Sequence, residues 1–253
     1  MTLDKFFKEN PVVALAFSGG ADSAYLLYEA KKRCERLGVY TARTPFMPAF
    51  EREDAQKLAE RLGVAVTALD LDPLAVPCAA ANGPDRCYHC KKAVFSAIIK
   101  KAKEDGFPVV IDGTNASDDA SDRPGMRALL ELGIRSPLRE CGITKAEVRR
   151  ASKAAGLFTW NKPAYACLAT RVPEGTPITL ADLGRIEQGE TALFSLGFSD
   201  FRLRLYGGLA RLQFTEGQLA RAFTEREKIV AALGGLFEGI TLDLRPRKAT
   251  PEE

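Results

Sequence analysis

The sequence predicts an α/β protein: a doubly wound parallel sheet followed by a smaller α+β domain. Three observations carry this reading. Strand-like and helix-like segments alternate over about 150 residues, as in sheets whose parallel strands are joined by crossover helices. A Gly-Gly pair joins the first apolar run to the first amphipathic one, in the order strand, turn, helix. Beyond "NKPAYACLATRVPEGTPIT" (161–179) the alternation gives way to a helix, a hairpin, a helix and a strand. The expected domains are residues 1–163 and 164–253.

Taken in order, "VVALAF" (12–17) is an unbroken apolar run and reads as a buried strand. "SAYLLYEAKKRCERLG" (23–38) has helical periodicity and closes on Gly38. "VYTAR" (39–43) is the second strand, "EREDAQKLAERLG" (51–63) a helix ending at Gly63, and "VAVTALDL" (64–71) the third strand. A polar loop with Pro and Gly is expected to hold a C-x-x-C pair, before a helix over 91–106 and a strand over 109–114. Helices follow over 126–133 and 144–156. In the second domain a helix covers "LADLGRIEQGETALFSLG", and "FRLRLYGGLARLQF" reads as two strands around a Gly-Gly turn. One helix over 216–235 and a strand in "GITLDLRP" complete it, and the tail "RKATPEE" is expected to be disordered.

Composition bounds the function. The 253 residues are 46% hydrophobic and 27% charged, ordinary values for a globular chain. A net charge of +3 gives no argument for a nucleic-acid surface. No run approaches the ~20 apolar residues of a membrane span, and residues 1–11 do not resemble a signal peptide, so a cytoplasmic location is expected. The six cysteines then do not read as a disulfide framework, and metal, cluster, catalytic or plain core roles remain for them. His89 is the only histidine, which leaves little material for a His-rich metal site or a Ser-His relay.

The turn "SGGADS" (18–23) carries the first chemical expectation. A strand feeding a Gly-Gly turn into a helix presents free backbone N–H groups at a helix N-terminus, which is an anion site. Gly19 and Gly20 permit close approach of a phosphate, and Ser18 and Ser23 add hydroxyls. Asp22 can cap the helix or help hold a magnesium ion carried by a nucleotide. A plain capped turn is the alternative. Neither the G-x-G-x-x-G fingerprint nor the lysine of the Walker-type loop is present. At the end of the fourth strand, Asp112, Gly113, Thr114, Asn115 and Asp118 stand where ligands gather in doubly wound sheets. An Asn- and Asp-rich turn is the bland reading there. Cys87 and Cys90 form a single C-x-x-C without the second pair that a zinc site needs.

S-G-G-x-D-S after a strand resembles the pyrophosphate-binding loop of the N-type ATP pyrophosphatases, the PP-loop superfamily. With "TARTPFMP" (41–48), "DRCYHCKK" (85–92), "DGTNASDDASDRPGMRALLELGIRSPL" (112–138) and "KPAYACLATRVPEG" (162–175), the chain resembles the LarE family over roughly residues 10–245. That family comprises ATP-dependent sulfur transferases of nickel-pincer nucleotide synthesis. The resemblance implies an adenine nucleotide alpha hydrolase-like fold with ATP and magnesium as cofactors, and pyridinium-3,5-biscarboxylic acid mononucleotide as substrate. It also implies adenylylation of a carboxylate, displacement of AMP by sulfur, and a homo-oligomer with a hexamer as precedent.

The resemblance places the sulfur at Cys167. A protein cysteine is sacrificed in one branch of the family. In the other, three thiolates, here Cys87, Cys90 and Cys167, hold a 4Fe-4S cluster that carries an extra sulfide. A purely structural Cys87–Cys90 pair, or a redox pair delivering sulfur, are the remaining readings. Arg43 falls close to an expected adenine. Arg202, Arg204 and Arg211 suit the phosphate and second carboxylate of the substrate, or form the solvated face of a hairpin. Glu190 matches an acidic position of the substrate or metal site, an exposed helix glutamate being the alternative. Asp122 and Arg123 read as a surface ion pair. The competing functions are another adenylylating enzyme on this scaffold (an amidotransferase or NAD synthetase-type ligase, or a tRNA thiolase) and a non-enzymatic nucleotide-binding module.

Overall fold

The computed structural model of the chain describes residues 1–118, 124–163 and 165–248. Asp122, Arg123 and the end of the tail lie outside the described residues. The chain divides into two compact units, Met1–Ala79 with Asp85–Lys162, and Ala80–Pro84 with Pro163–Glu253.

In the first unit the order is α1 (Leu3–Glu9), β1 (Val12–Ala16), α2 (Ala21–Arg33), β2 (Arg36–Arg43), α3 (Ala49–Arg61) and β3 (Thr67–Asp70). A 3-10 turn and the short α4 (Pro77–Ala80) lead to α5 (Arg86–Glu104), β4 (Val109–Ile111), α6 (Pro124–Glu131), α7 (Pro137–Glu140) and α8 (Lys145–Ala154). The sheet order is β3-β2-β1-β4, with all pairs parallel. Helices cover both faces. Val13 and Leu15 join a core with Phe6, Phe7, Leu26, Leu27, Leu58 and Val148. Ala14, between them, joins Tyr40, Ile98, Ala102, Phe107, Met126 and Leu129. A strand buried on both faces has no polar side, and for that reason residues 12–17 read as an unbroken apolar run.

The second unit contains α9 (Leu180–Ser195), β5 (Arg202–Tyr206), β6 (Leu209–Gln213), α10 (Glu216–Thr224), α11 (Arg226–Leu233) and β7 (Gly239–Leu242). Strand β6 is central, antiparallel to β5 and parallel to β7. Leu203, Leu205, Ala210 and Leu212 are buried while Arg204 and Arg211 of the alternate positions are exposed. The piece Ala80–Pro84 is held in this unit by Asn82, whose side-chain amide donates to the carbonyls of Pro173 (2.7 Å) and Thr176 (3.0 Å). Among the described residues, no helix is long and apolar enough to cross a membrane.

Four local expectations need correction. Helix α2 stops at Arg33, and Gly38 lies inside β2 instead of closing the helix. A Cβ on Gly38 would lie 2.6 Å from the Phe107 ring, so the glycine admits that ring against the strand. The C-x-x-C is on the first turns of α5, not in a loop. The helix expected over 216–235 is two helices broken at Glu225, whose carboxylate takes Arg221 at 3.0 Å. The tail is ordered at Arg247, which bridges to Thr215 and pairs with Asp200.

Candidate functional site

Strand order reverses between β1 and β4, the position where parallel α/β sheets open a crevice at their carboxyl ends. A cavity of about 310 Å³ lies there, lined by Ser18, Gly20, Asp22, Ser23, Lys91, Phe95, Asp112, Gly113, Thr114 and Asp118. The two motifs singled out in the first 120 residues therefore meet at one crevice.

The turn after β1 is shaped by its glycines. Gly19 has φ +76°, and a Cβ on it would stand 2.6 Å from the Ala55 methyl of α3. Another residue would suffer both left-handed strain and a clash. Gly20 is the N-cap of α2 and supplies no side-chain acceptor to the first-turn amides. The Ser18 and Ser23 hydroxyls lie 3.1 Å apart, and Ser23 donates to the Gly20 carbonyl at 3.1 Å. Asp22 does not cap the helix. Its Oδ2 accepts from Lys145 Nζ of α8 at 2.6 Å, and its Oδ1 is buried with no hydrogen-bond partner among the described residues. An orphaned carboxylate oxygen in a polar cavity fits a hard cation.

The loop after β4 is built against that turn. A Cβ on Gly113 would lie 2.7 Å from the Ser23 backbone nitrogen, so glycine lets this loop press on the start of α2. Asp112 is buried and accepts from the hydroxyls of Ser136 and Thr114, both at 2.6 Å. Asn115 is buried too, its Oδ1 taking the Ser117 amide at 2.8 Å, and Asp118 Oδ2 takes the Asn115 amide at 3.1 Å. Asn115 thus shapes the loop, while Gly113, Thr114 and Asp118 line the cavity.

Sequence reasoning missed two lysines. The turn has none of its own, yet Lys91 of α5 lines the cavity and Lys145, at the first position of α8, reaches Asp22. "CKK" and the capping-box sequence "TKAE" were the available signals, but neither says that its helix packs at this crevice.

Arg43 is not in this cavity. It ends β2, pairs with Asp70 at 3.5 Å, and lines two neighbouring cavities of about 550 and 560 Å³ together with Arg52. Helix α3, which backs Gly19, also carries Glu51 and Asp54, and both accept from Lys162 at the end of the unit (2.9 and 2.7 Å). Burial raises the Glu51 carboxyl above its usual pKa, opposed by Lys162.

In the second unit Cys167 is exposed and caps a 3-10 turn, Leu168–Arg171, its carbonyl taking the Thr170 amide (3.0 Å) and hydroxyl (2.8 Å). Arg171 is fully buried. Its Nε donates to Glu190 Oε1 at 2.8 Å, and its Nη1 to the Ala166 carbonyl at 3.1 Å and the Thr170 hydroxyl at 2.9 Å. Glu190 is accordingly not an exposed helix residue: it is 2% exposed and also accepts from the Leu203 amide and the Tyr165 hydroxyl. Burial and then the Glu190 charge push the Tyr165 phenol far above its ordinary pKa. Burial works to lower the pKa of Arg171, but Glu190 outweighs it and the net shift is upward. This pair fixes both sides of Cys167.

Arg204 and Arg211 oppose each other across β5 and β6. Arg204 donates to the Thr170 carbonyl at 2.6 Å, and Arg211 pairs with Asp243 at 2.6 Å. Burial, then Arg171 and Arg247, lowers Arg202 to about 10, and burial with Arg171 and Arg211 lowers Arg204 in the same direction. Crowded, partly desolvated guanidinium groups of this kind gain from an anion.

None of the six cysteines forms a disulfide. Cys87 (exposed) and Cys90 (half-buried) lie one turn apart on α5 in the first unit, and Cys167 belongs to the second. Among the described residues, no group of three or more His, Cys, Asp and Glu side chains is assembled to hold a metal ion.

A parallel sheet with S-G-G-x-D-S at its switch point defines a PP-loop α/β protein. No family model matches the chain. It is 33% identical over 246 residues to the pyridinium-3,5-bisthiocarboxylic acid mononucleotide synthase of Lactiplantibacillus plantarum, covering 96% of this chain and 89% of that protein. An uncharacterized protein of Synechocystis is 38% identical over 221 residues, 86% of this chain and 81% of the relative. More distantly, a tRNA-specific 2-thiouridylase of Clostridium botulinum is 26% identical over 183 residues, 60% of this chain and 52% of the relative. The chain belongs to the LarE family, and it is an enzyme with sulfurtransferase relatives.

Proposed function

We propose that the chain uses ATP to adenylylate a carboxylate of pyridinium-3,5-biscarboxylic acid mononucleotide and converts it to a thiocarboxylate. The observation that carries this reading is the cavity between the turn after β1 and the loop after β4, with its glycines pressed on α3 and α2. Residues 1–163 are the PP-loop ATP pyrophosphatase domain, and residues 164–253 serve substrate binding and oligomerisation. The substrate carboxylate attacks the α-phosphorus of ATP and pyrophosphate leaves. Amides and hydroxyls of Ser18, Gly19, Gly20 and Ser23 hold the departing pyrophosphate, with Gly113 and Thr114 closing the other wall. Asp22, through its orphaned Oδ1, and Asp118 would hold magnesium, which supplies charge neutralisation on the phosphates. Arg43 serves the nucleotide's base end.

A sulfur nucleophile then attacks the acyl carbon and AMP departs. Arg204 and Arg211 receive the substrate's phosphate and second carboxylate, and Glu190 holds Arg171 so that the Cys167 segment keeps its shape. Cys87 and Cys90 of α5 and Cys167 of the second unit are the thiols that would hold a 4Fe-4S cluster, which would supply an iron with an open position for sulfide. The second reading, sulfur lost from Cys167 itself, is favoured by the exposure of that thiol. The enzyme acts in the cytoplasm as a homo-oligomer, a hexamer by family precedent.

The test is incubation of anaerobically purified protein with ATP, magnesium and the biscarboxylated nucleotide. Pyrophosphate, AMP and a product with one oxygen replaced by sulfur are expected. Bound iron with an unchanged protein mass supports the cluster, and colourless protein that loses hydrogen sulfide from Cys167 supports sacrifice. Nucleotide binding without pyrophosphate release under these conditions would contradict the proposal.

A further inference from the structure

At one point α6 lies so close to α5 that it has no room for a side chain. Gly125, the second residue of α6, is buried, and a Cβ on it would stand 2.9 Å from Cδ, 3.1 Å from Cε and 3.5 Å from Nζ of Lys91. Lys91 lines the cavity together with the carboxylates Asp22, Asp112 and Asp118. None of these holds it in place. Asp22 takes Lys145, Asp112 takes the Ser136 and Thr114 hydroxyls, and Asp118 takes the Asn115 amide. Among the described residues Lys91 makes neither a hydrogen bond nor an ion pair. Its place is therefore set by packing, and the atoms it packs on include Gly125. The two helices are pinned nearby, where the Tyr88 hydroxyl donates to Glu131 at 2.6 Å and Lys92 reaches the same carboxylate at 2.8 Å.

We propose that Gly125 is a positioning residue: the side chain it lacks is the space that lets the Lys91 stem lie against α6 with its ammonium at the cavity. This rests on the reading that the cavity binds ATP. Glycine is otherwise a poor choice here. It weakens a helix relative to alanine, and its φ lies outside the left-handed region, so the backbone would accept alanine without strain. What forbids a methyl is the lysine alone. A Cβ closer than 3.0 Å forces something to shift, and the end of a flexible side chain shifts before two pinned helices do. A methyl at residue 125 therefore leaves α6 folded and pushes the Lys91 ammonium away from its place in the cavity.

The test is a double-mutant cycle on ATP binding by calorimetry, with the melting temperature of each protein measured alongside. Lys91→Ala should raise the dissociation constant by roughly 10-fold, the worth of a charged hydrogen bond. Gly125→Ala alone should raise it by about 3- to 10-fold, since it costs part or all of the same interaction. With Lys91 already alanine, Gly125→Ala should change it by less than about 2-fold, because the group it displaces is gone. In that background the methyl has room, so the melting temperature should rise by about 1–3 °C. A glycine needed only for the fold would lower the melting temperature and weaken binding by the same factor with or without Lys91. That result, or wild-type ATP affinity in Gly125→Ala, overturns the proposal. Lys91→Ala with wild-type affinity, or wild-type protein that binds no ATP, would instead overturn the reading of the cavity and the proposal with it.

Discussion

Replacing Glu190 with alanine would strip the buried Arg171 guanidinium of its counter-ion. The Arg171 side chain is 0% exposed, and Glu190 Oε1 takes both its Nε, at 2.8 Å, and the Leu203 amide, at 3.1 Å. The Tyr165 hydroxyl loses its acceptor as well. Removing one partner of a fully buried pair costs about 3–5 kcal/mol, because the remaining charge stays desolvated. That is a large share of the roughly 5–15 kcal/mol that holds a domain folded. With a urea m-value of about 2 kcal/mol/M, the midpoint of the second unit's transition should fall by roughly 2 M. Glu190→Gln keeps one acceptor for Arg171 and Leu203 and should lose less. Urea titration followed by circular dichroism reads both. A midpoint for Glu190→Ala within about 0.3 M of wild type, a shift of well under 1 kcal/mol, would show that the pair does not organise the Cys167 segment.

Other consequences are equally direct. Gly113→Ala drives a Cβ to 2.7 Å from Ser23 N and 2.9 Å from its Cα, both backbone atoms. It should cost about 1–3 kcal/mol of stability and weaken ATP binding several-fold, measured by denaturation and calorimetry. Lys91→Ala removes the lysine that lines the cavity and should raise the dissociation constant for ATP by roughly 10-fold with unchanged melting temperature. Thiol titration at pH 8 should find Cys78, Cys87 and Cys167 fast and Cys34 slow, since burial pushes the Cys34 thiol from 9.0 up to about 11. The raised value means that the folded state holds this proton more tightly than the unfolded chain. Its contribution to stability is therefore complete below pH 9 and is lost as pH climbs through about 11; a Cys34→Ala variant should show a flatter melting temperature over that window.

The first unit was largely legible in the sequence because its signals are local. Buried strands are continuous apolar runs, and Gly63 and Thr144 mark helix ends by their own chemistry. Gly38 misled for the same reason: alone it resembles a helix stop, and only the Phe107 ring, far along the chain, explains it. The Cys87–Cys90 stretch was read as a loop because Pro84 and Gly83 stand just before it, whereas α5 begins at Arg86. At the site, Gly19 and Gly113 were legible because a positive φ or a close backbone approach restricts residue type there, and Ser18 and Asp22 because they stand in the S-G-G-x-D-S motif. Lys91 and Lys145 were not, since a lysine on a helix has no signature until the helix is placed. The burial of Glu190 was hidden likewise, because its partner Arg171 ends a short 3-10 turn that is too brief to carry a periodicity.

The decisive measurement is a crystal structure with magnesium and an ATP analogue that resists cleavage between the α- and β-phosphates. The account predicts the β- and γ-phosphates against the amides and hydroxyls of residues 18–23, with Gly113 and Thr114 on the opposite wall and the metal on Asp22. Phosphates bound elsewhere, beside Arg43 for example, with the turn after β1 empty, would contradict it.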